Sequence, residues 1–157
     1  MTERAKPHRR AEYAHFQLMT TRWMDNDAYS HLNNTVYYAL FDSAVGQYLI
    51  EKGFLDVRRS QVIGLVAETK CRYFREISFP SVVHVGLRVG RQGNTSITYE
   101  IALFTDDGDE ACAQGYFVHV YVDRASKRPV PLPDRLKAVV APLHVRGHTV
   151  AVEREIV

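Results

Sequence analysis

The sequence has few cysteines and no long apolar run. Its two cysteines, Cys71 and Cys112, are too few and too far apart to indicate a disulfide framework or a metal site. No apolar run approaches the roughly 20 residues that a membrane span needs, and residues 1–10 lack the apolar region of a signal peptide. We therefore expect a cytoplasmic protein that does not enter a membrane and holds no metal.

The chain also lacks an excess of charge of either sign. It carries 20 Lys and Arg against 18 Asp and Glu, a net charge of +2, and its basic residues are dispersed. This distribution gives no indication of a nucleic-acid partner. A small basic tail lies near the N-terminus, for which a solvated terminus is the simpler interpretation; it contains Lys6, His8, Arg9 and Arg10.

No linker, internal repeat or low-complexity tract divides the chain. A length of 157 residues is sufficient for one hydrophobic core. We therefore expect a single domain over residues 1–157, with its core at roughly 15–141, a basic N-terminal tail and a C-terminal extension.

A long amphipathic helix is predicted in the first third of the chain. Its apolar residues recur at i, i+3 and i+4, the spacing of one buried helical face: Tyr37, Leu40, Phe41, Ala44, Val45, Tyr48 and Leu49. Asn33 or Asn34 can serve as the N-cap, and Gly53 indicates the end. The pattern predicts a helix from about Thr35 to Lys52.

After Gly53 the apolar pattern changes from helical to alternating, which indicates half-buried antiparallel strands. Four such strands are predicted, at residues 65–73, 83–89, 97–103 and 116–122, and a weaker one precedes the helix at 15–23. The order is one strand, a long helix and then four strands in a meander. This order predicts an α+β fold in which the helix covers one face of an antiparallel sheet.

A polar cluster, Asp25-Asn26-Asp27 and Asn33-Asn34, lies directly before the helix. A carboxylate at this point lies beside unpaired backbone N–H groups and the positive end of the helix dipole. A carboxylate that attacks or activates water, next to donors that hold an oxyanion, is the minimum equipment for acyl transfer. The alternative is that both aspartates are ordinary turn or capping residues.

Residues 23–44 resemble the signature of the hotdog-fold acyl-CoA thioesterases, specifically the 4-hydroxybenzoyl-CoA thioesterase-like group. Members typically show D-x-D-x-x-G-[HI]-[VL], followed by Y-x-x-[YWF]-[FL]-[DE]-x-A. Here residues 25–32 read DNDAYSHL and residues 37–44 read YYALFDSA. The element order also matches, over roughly residues 15–140. The resemblance implies an α+β hotdog fold, with about five antiparallel strands wrapped around one long central helix.

The resemblance implies a role for each residue of this segment. Asp27 matches the catalytic carboxylate, acting as nucleophile on the thioester carbonyl or as general base for water. Asn34 offers its backbone N–H as oxyanion donor, and His31 matches a supporting histidine. Apart from the resemblance, Tyr37 is a candidate to line the acyl pocket, with core packing as the default alternative. The family glycine before His31 is Ser30 in this chain, a strained choice if the turn requires a positive φ.

The resemblance also implies where coenzyme A is bound. Relatives commonly contact its nucleotide end at a strand–turn–strand segment, where this chain carries Arg91 as the cation and Asn94 and Ser96 as donors. An ordinary charged hairpin explains these residues equally well. Two other arginines, Arg72 and Arg75, are competing candidates.

The leading interpretation is an acyl-CoA thioesterase that yields a free acid and coenzyme A, without a cofactor other than the coenzyme A of its substrate. Because one hotdog unit leaves a sheet edge exposed, we expect a homodimer or homotetramer with sites between subunits. The open alternatives are an acyl-carrier-protein thioesterase or a hydratase on the same fold, and a non-catalytic acyl-CoA-binding module. Asp42 is the acidic residue placed for relatives that take their carboxylate from the middle of the helix.

Overall fold

Five strands and one long helix make up the body of the protein. The structure, a computed structural model, describes residues 4–146. In chain order the elements are β1 (His15–Thr20), α1 (Asn34–Glu51), β2 (Val62–Tyr73), β3 (Val82–Gln92), β4 (Ser96–Phe104), β5 (Ala113–Asp123) and α2 (Asp134–Val140). The predicted α+β hotdog fold is confirmed.

The sheet is antiparallel and its strand order is β1-β3-β4-β5-β2. The predicted four-strand meander is therefore wrong in part, because β2 pairs with β5 and not with β3. Alternation of apolar residues determines which face a side chain takes, but it does not specify the neighbouring strand. The segment 74–81 carries the chain from one side of the sheet towards the other, and β2 becomes a sheet edge.

Helix α1 lies across one face of the sheet and buries the apolar stripe that its sequence predicts. Its N-cap is Asn33, whose side chain accepts a hydrogen bond from the Thr35 backbone N–H at 3.0 Å. Phe41, at the centre of the stripe, is fully buried in the core with side chains of β3, β4 and β5. Just beyond the helix, Gly53 has a φ of +74°, the left-handed conformation that ends many helices.

The N-terminal segment 4–14 packs on the opposite face of the sheet. Tyr13 is buried there, with the Arg88 guanidinium 4.7 Å from its ring centroid. Arg88 in turn forms a buried ion pair with Glu100 at 2.9 Å. Arg10 donates to backbone carbonyls of the β4–β5 loop. The expectation of a solvated basic terminus is therefore wrong for Arg10.

His119, on β5, is buried in a cluster of aromatic rings. Its ring lies 5.2 Å from the ring of Tyr99 and 5.9 Å from that of Phe117, centroid to centroid. Its Nε2 atom is buried and has no hydrogen-bond partner within residues 4–146. Burial disfavours the imidazolium and lowers the pKa of His119 from 6.5 to about 4.

His119 is expected to lower the free energy of unfolding in mild acid. The unfolded chain binds a proton at His119 near pH 6.5, whereas the folded protein binds it only near pH 4. The stability is therefore complete above pH 6.5 and falls as the pH drops from 6.5 to 4, by up to about 3 kcal/mol. His119→Phe should flatten this part of the curve of unfolding free energy against pH, as measured by urea denaturation. Equal slopes in the two proteins would contradict the assignment.

Candidate active site

Asp25, the first aspartate of the loop before α1, has a structural role. Its Oδ2 accepts the backbone N–H of Arg22 at 2.7 Å, and its Oδ1 accepts two guanidinium N–H groups of the same residue at 2.9 and 3.1 Å. Burial opposes ionisation of Asp25, but these hydrogen bonds outweigh burial and lower its pKa. Its backbone carbonyl accepts the N–H of Asn33, so Asp25 ties the loop to the helix start.

Asp27, the second aspartate, closes a tight turn and remains half-buried. Its Oδ1 accepts the backbone N–H of Tyr29 at 2.8 Å and that of His31 at 3.4 Å. The backbone N–H of Asp27 also donates to the backbone carbonyl of His31 at 2.8 Å. Oδ2 accepts no hydrogen bond from the described part of the chain. One oxygen of Asp27 therefore fixes the turn, and the other is left for a ligand or water.

Ser30 occupies the position of the family glycine and adopts a φ of +65°. The turn therefore does require the left-handed conformation, and serine adopts it at a cost. The Ser30 N–H donates to the Asp27 carbonyl at 3.1 Å, which closes the turn over the carboxylate. The turn keeps the shape that glycine would favour, with a less suitable residue.

Ser30→Gly is expected to raise the free energy of unfolding by about 1 kcal/mol, since an L side chain in this region costs about 1–2 kcal/mol and glycine loses more chain entropy on folding. The thermal midpoint by calorimetry measures the change. Ser30→Ala is the matched control, because it removes the hydroxyl and keeps the strain. If glycine stabilised no more than alanine, the serine backbone would not be strained.

The first residue of α1, Asn34, presents its backbone N–H at the helix start. An N–H at this position has no acceptor within the helix, and no other described group accepts it. The side chain of Asn34 is held separately, because its Oδ1 accepts the phenol O–H of Tyr73 at the end of β2. Burial raises the pKa of Tyr73, so this phenol remains a donor at neutral pH.

A cavity of about 600 Å³ brings these groups together. Its walls combine aromatic side chains with charged and amide groups, from the loop, the start of α1, the end of β2 and the segment after it: Asp27, Tyr29, His31, Leu32, Asn34, Tyr37, Tyr73, Phe74, Arg75 and Glu76. Four of the residues singled out in the sequence, Asp27, His31, Asn34 and Tyr37, therefore line one space. A carboxylate, an uncommitted backbone N–H and an apolar wall lie around a volume suited to an acyl group.

Glu76 lines this cavity, although the sequence pattern does not single it out. Its Oε2 lies 2.9 Å from Nε2 of His31. Arg75, beside it, directs its guanidinium to Sγ of Cys112 at 3.3 Å. The sequence gives only a weak indication of this contact, because Arg75 and Glu76 are simply two charged residues between the end of a predicted strand and the turn at Pro80. No periodicity links this pair to the loop before α1.

The predicted coenzyme A contacts, Arg91, Asn94 and Ser96, lie elsewhere in the chain. The Asp27 loop is next to the start of β3, since Oδ1 of Asn26 accepts the N–H of Phe79 at 3.1 Å. Arg91 lies nine residues beyond the first residue of β3, roughly 30 Å along the strand. One chain therefore does not bring these three residues to the cavity.

Of the three other candidate residues, Asp42 and Arg72 are separated from Asp27, and Arg75 lines the same cavity as Asp27. Asp42 lines a different cavity, between α1 and the sheet. Arg72 lies on the edge strand β2 and does not line the Asp27 cavity. Of the competing cations, only Arg75 lines it.

No group of three or more His, Cys, Asp or Glu side chains among the described residues is placed to hold a metal ion. None of the helices within residues 4–146 is long and apolar enough to cross a membrane.

Comparison with known proteins relates this chain to a family. The sequence model of the thioesterase-like superfamily matches residues 21–140, which include the loop, α1 and all of β2 to β5. No curated protein matches the chain.

Solved structures share the fold over most of the chain. The PA5185 protein from Pseudomonas aeruginosa strain PAO1 is 51% identical, with a TM-score of 0.86 over 90% of this chain and 99% of that one. The PA2801 protein of Pseudomonas aeruginosa, which carries a provisional thioesterase assignment, is 28% identical, with a TM-score of 0.75 over 82% and 98%. The BH1999 gentisyl-coenzyme A thioesterase shares the fold at 18% identity, with a TM-score of 0.71 over 80% and 99%.

Proposed function

The chain belongs to the thioesterase-like superfamily, and we propose that it is a cytoplasmic acyl-CoA thioesterase with its active site at Asp27. Water and the thioester yield a free carboxylic acid and coenzyme A, without a metal or a separate cofactor. One observation carries the proposal: a carboxylate oxygen and a helix N–H, neither of which has a hydrogen-bond partner within residues 4–146, line the same aromatic cavity.

The proposed mechanism assigns one role to each of these groups. The thioester carbonyl oxygen accepts the N–H of Asn34, which stabilises the negative charge as the tetrahedral intermediate forms. Oδ2 of Asp27 attacks the carbonyl carbon, or removes a proton from a water that attacks it. In the first route, collapse of the intermediate breaks the C–S bond, releases the thiolate of coenzyme A and leaves a mixed anhydride on Asp27, which water then hydrolyses to the free acid. In the second route, collapse releases the thiolate and the free acid directly, and the proton held by Asp27 passes to the thiolate. Both routes use the same two groups.

His31 and Glu76 support Asp27 rather than replace it. The backbone N–H of His31 contacts Oδ1 of Asp27, while the imidazole contacts Glu76 on the other side. Glu76 therefore restrains the His31 side chain, and His31 restrains the turn that presents the carboxylate. This arrangement suits a site in which Asp27 keeps one orientation through the reaction.

Thiol release from a panel of acyl-CoAs tests the proposed function. The panel includes short and long aliphatic acyl groups together with benzoyl and phenylacetyl groups, since four aromatic residues line the cavity. Hydrolysis of at least one ester at the rate of a typical enzyme is expected. Faster turnover of the same acyl group on acyl carrier protein would identify a carrier-protein thioesterase. Binding of acyl-CoA without turnover would identify the non-catalytic module.

We also propose that the protein is at least a homodimer, formed by pairing of two β2 edges. β2 is the longest strand, with 12 residues, and its outer edge has no neighbouring strand within residues 4–146. Its side chains Leu65 and Val66 are 42% and 49% exposed. Long exposed edges with apolar side chains are usually covered or paired.

Val66→Asp is expected to dissociate this dimer, because it brings two carboxylates close to a shared two-fold axis. Analytical ultracentrifugation at micromolar concentration measures the mass of both proteins. Ala125→Asp, at an exposed position of the β5–α2 segment, is the control, and this variant should sediment with the same mass as the wild type. A wild-type monomer at this concentration would contradict the proposed assembly.

A further inference from the structure

The loop between α1 and β2 is a rigid turn that carries two arginines. Oδ1 of Asp56 accepts the backbone N–H groups of Arg58 and Arg59 at 3.0 and 3.2 Å. The Asp56 N–H donates to Oγ of Ser60 at 2.9 Å. The Arg124 guanidinium donates to the carbonyls of residues 57 and 58 from outside. These hydrogen bonds hold residues 56–60, called here the 56–60 loop, in one conformation.

The side chains of Arg58 and Arg59 are exposed and have no counter-ion within the described residues. The one carboxylate of the loop, Asp56, binds the loop's backbone N–H groups through Oδ1 and pairs with neither guanidinium group. Lys127 and Arg128, on the neighbouring β5–α2 turn, add further positive charge. A fixed backbone with two uncommitted guanidinium groups suits a phosphate, which accepts paired N–H groups from arginine.

Within one chain, this loop and the Asp27 cavity lie at opposite ends of β2. The loop adjoins the first residue, Val62, because the N–H of Arg124 donates to the Gln61 carbonyl at 2.7 Å. The cavity is lined by the last residue, Tyr73. The 12 residues of β2 span roughly 36 Å at about 3.3 Å per residue. The loop and the cavity of one chain therefore do not form one site.

Two-fold pairing of β2 brings the loop of one subunit close to the cavity of the other. A two-fold axis at a shared strand edge makes the two strands antiparallel, and each contact occurs twice. When the axis lies at the middle of β2, near Ala67, Val62 of one subunit faces the partner's Tyr73. The 56–60 loop of one subunit then lies beside the Asp27 cavity of its partner.

We propose that Arg58 and Arg59 bind the 3′-phosphate and diphosphate of the coenzyme A whose thioester occupies the partner's Asp27 cavity. This inference rests on the proposed acyl-CoA thioesterase and its β2-paired dimer. It assigns the nucleotide to the 56–60 loop instead of Arg91, Asn94 and Ser96. Each active site then needs both subunits, one for the reaction and one for the nucleotide.

The double substitution Arg58→Gln with Arg59→Gln tests whether the loop binds the phosphates of coenzyme A. We expect KM for the best acyl-CoA to rise about tenfold or more, with kcat unchanged, which corresponds to about 1.4 kcal/mol or more of lost binding. The same acyl group on pantetheine, which lacks the nucleotide, should show no change in KM. Arg91→Gln is the matched control. An unchanged KM in the double variant, an equal loss with acyl-pantetheine, or a loss confined to Arg91→Gln would overturn the proposal.

Mixed dimers test whether the loop acts in the partner's site. Subunits with Asp27→Asn are refolded together with subunits that carry both arginine substitutions. If the loop serves the partner, each mixed dimer has one site with intact Asp27 and intact arginines, so activity with wild-type KM reappears. If the loop serves its own chain, every site has lost one component, and no low-KM activity appears. That second result would overturn the proposal.

Calorimetric titration with coenzyme A alone separates this inference from the proposed function. Weaker binding to the double variant than to wild type, with Asp27→Asn binding normally, supports the loop even if no ester is hydrolysed. Equal binding by wild type and the double variant rejects the loop, even if the protein proves to be a thioesterase.

Discussion

Asp27→Asn is expected to lower kcat for thioester hydrolysis by about 100- to 10,000-fold, the usual contribution of a positioned acid–base group. The amide oxygen can still accept the backbone N–H groups of Tyr29 and His31, so the turn should keep its shape. What the substitution removes is the negative charge that attacks the carbonyl or activates water. Thiol release under saturating acyl-CoA measures the change.

Asp25→Asn provides the control for this result. Asp25 lies two residues away, but it binds Arg22 and does not line the cavity. Its substitution should lower the stability, since the Arg22 contacts weaken, and leave kcat within a few-fold of wild type. Circular dichroism and sedimentation show whether fold and assembly survive in both variants. Full activity in a folded Asp27→Asn protein would remove Asp27 from the mechanism.

Asn34→Pro should lower kcat by a factor of about 100 to 1,000, or about 2.7–4 kcal/mol, because it deletes the proposed oxyanion donor. Proline has no N–H, yet it is favoured at the first position of a helix. The preceding residue, Asn33, has φ −59° and ψ 143°, the extended conformation that a residue before proline prefers. The helix should therefore form normally, and the thermal midpoint should change little.

The control for this variant is Asn34→Ala, which removes the side chain that contacts Tyr73 and keeps the backbone N–H. A small loss with alanine and a large loss with proline would assign the effect to the N–H. Equal losses would assign it to the side chain and would contradict the proposed oxyanion donor.

Local features of the fold could be predicted from the sequence with accuracy. The buried stripe of α1 follows from its 3.6-residue period, and the helix observed at Asn34–Glu51 differs from the expected one by a single residue at each end. The strained turn also follows from local chemistry, because serine stands where the family has glycine and the structure has a φ of +65°. In both cases the determining interactions lie within a few residues of each other.

Features that depend on distant residues could not be predicted. Pairing of β2 with β5 joins residues about fifty apart, and an alternating pattern does not encode that choice. The contact between His31 and Glu76, and that between Asn34 and Tyr73, both depend on this pairing, since β2 brings residues 73–76 to the helix start. The packed position of Arg10 depends in the same way on the β4–β5 loop.

The most direct test of the proposed active site is a crystal structure with an acyl-CoA analogue in which a methylene group replaces the thioester sulphur. We predict that the carbonyl oxygen lies about 3 Å from the backbone nitrogen of Asn34. The carbonyl carbon should lie about 3–3.5 Å from a carboxylate oxygen of Asp27, or one water molecule away from it. A carbonyl group bound in the cavity beside Asp42 and His119, away from both residues, would contradict the account.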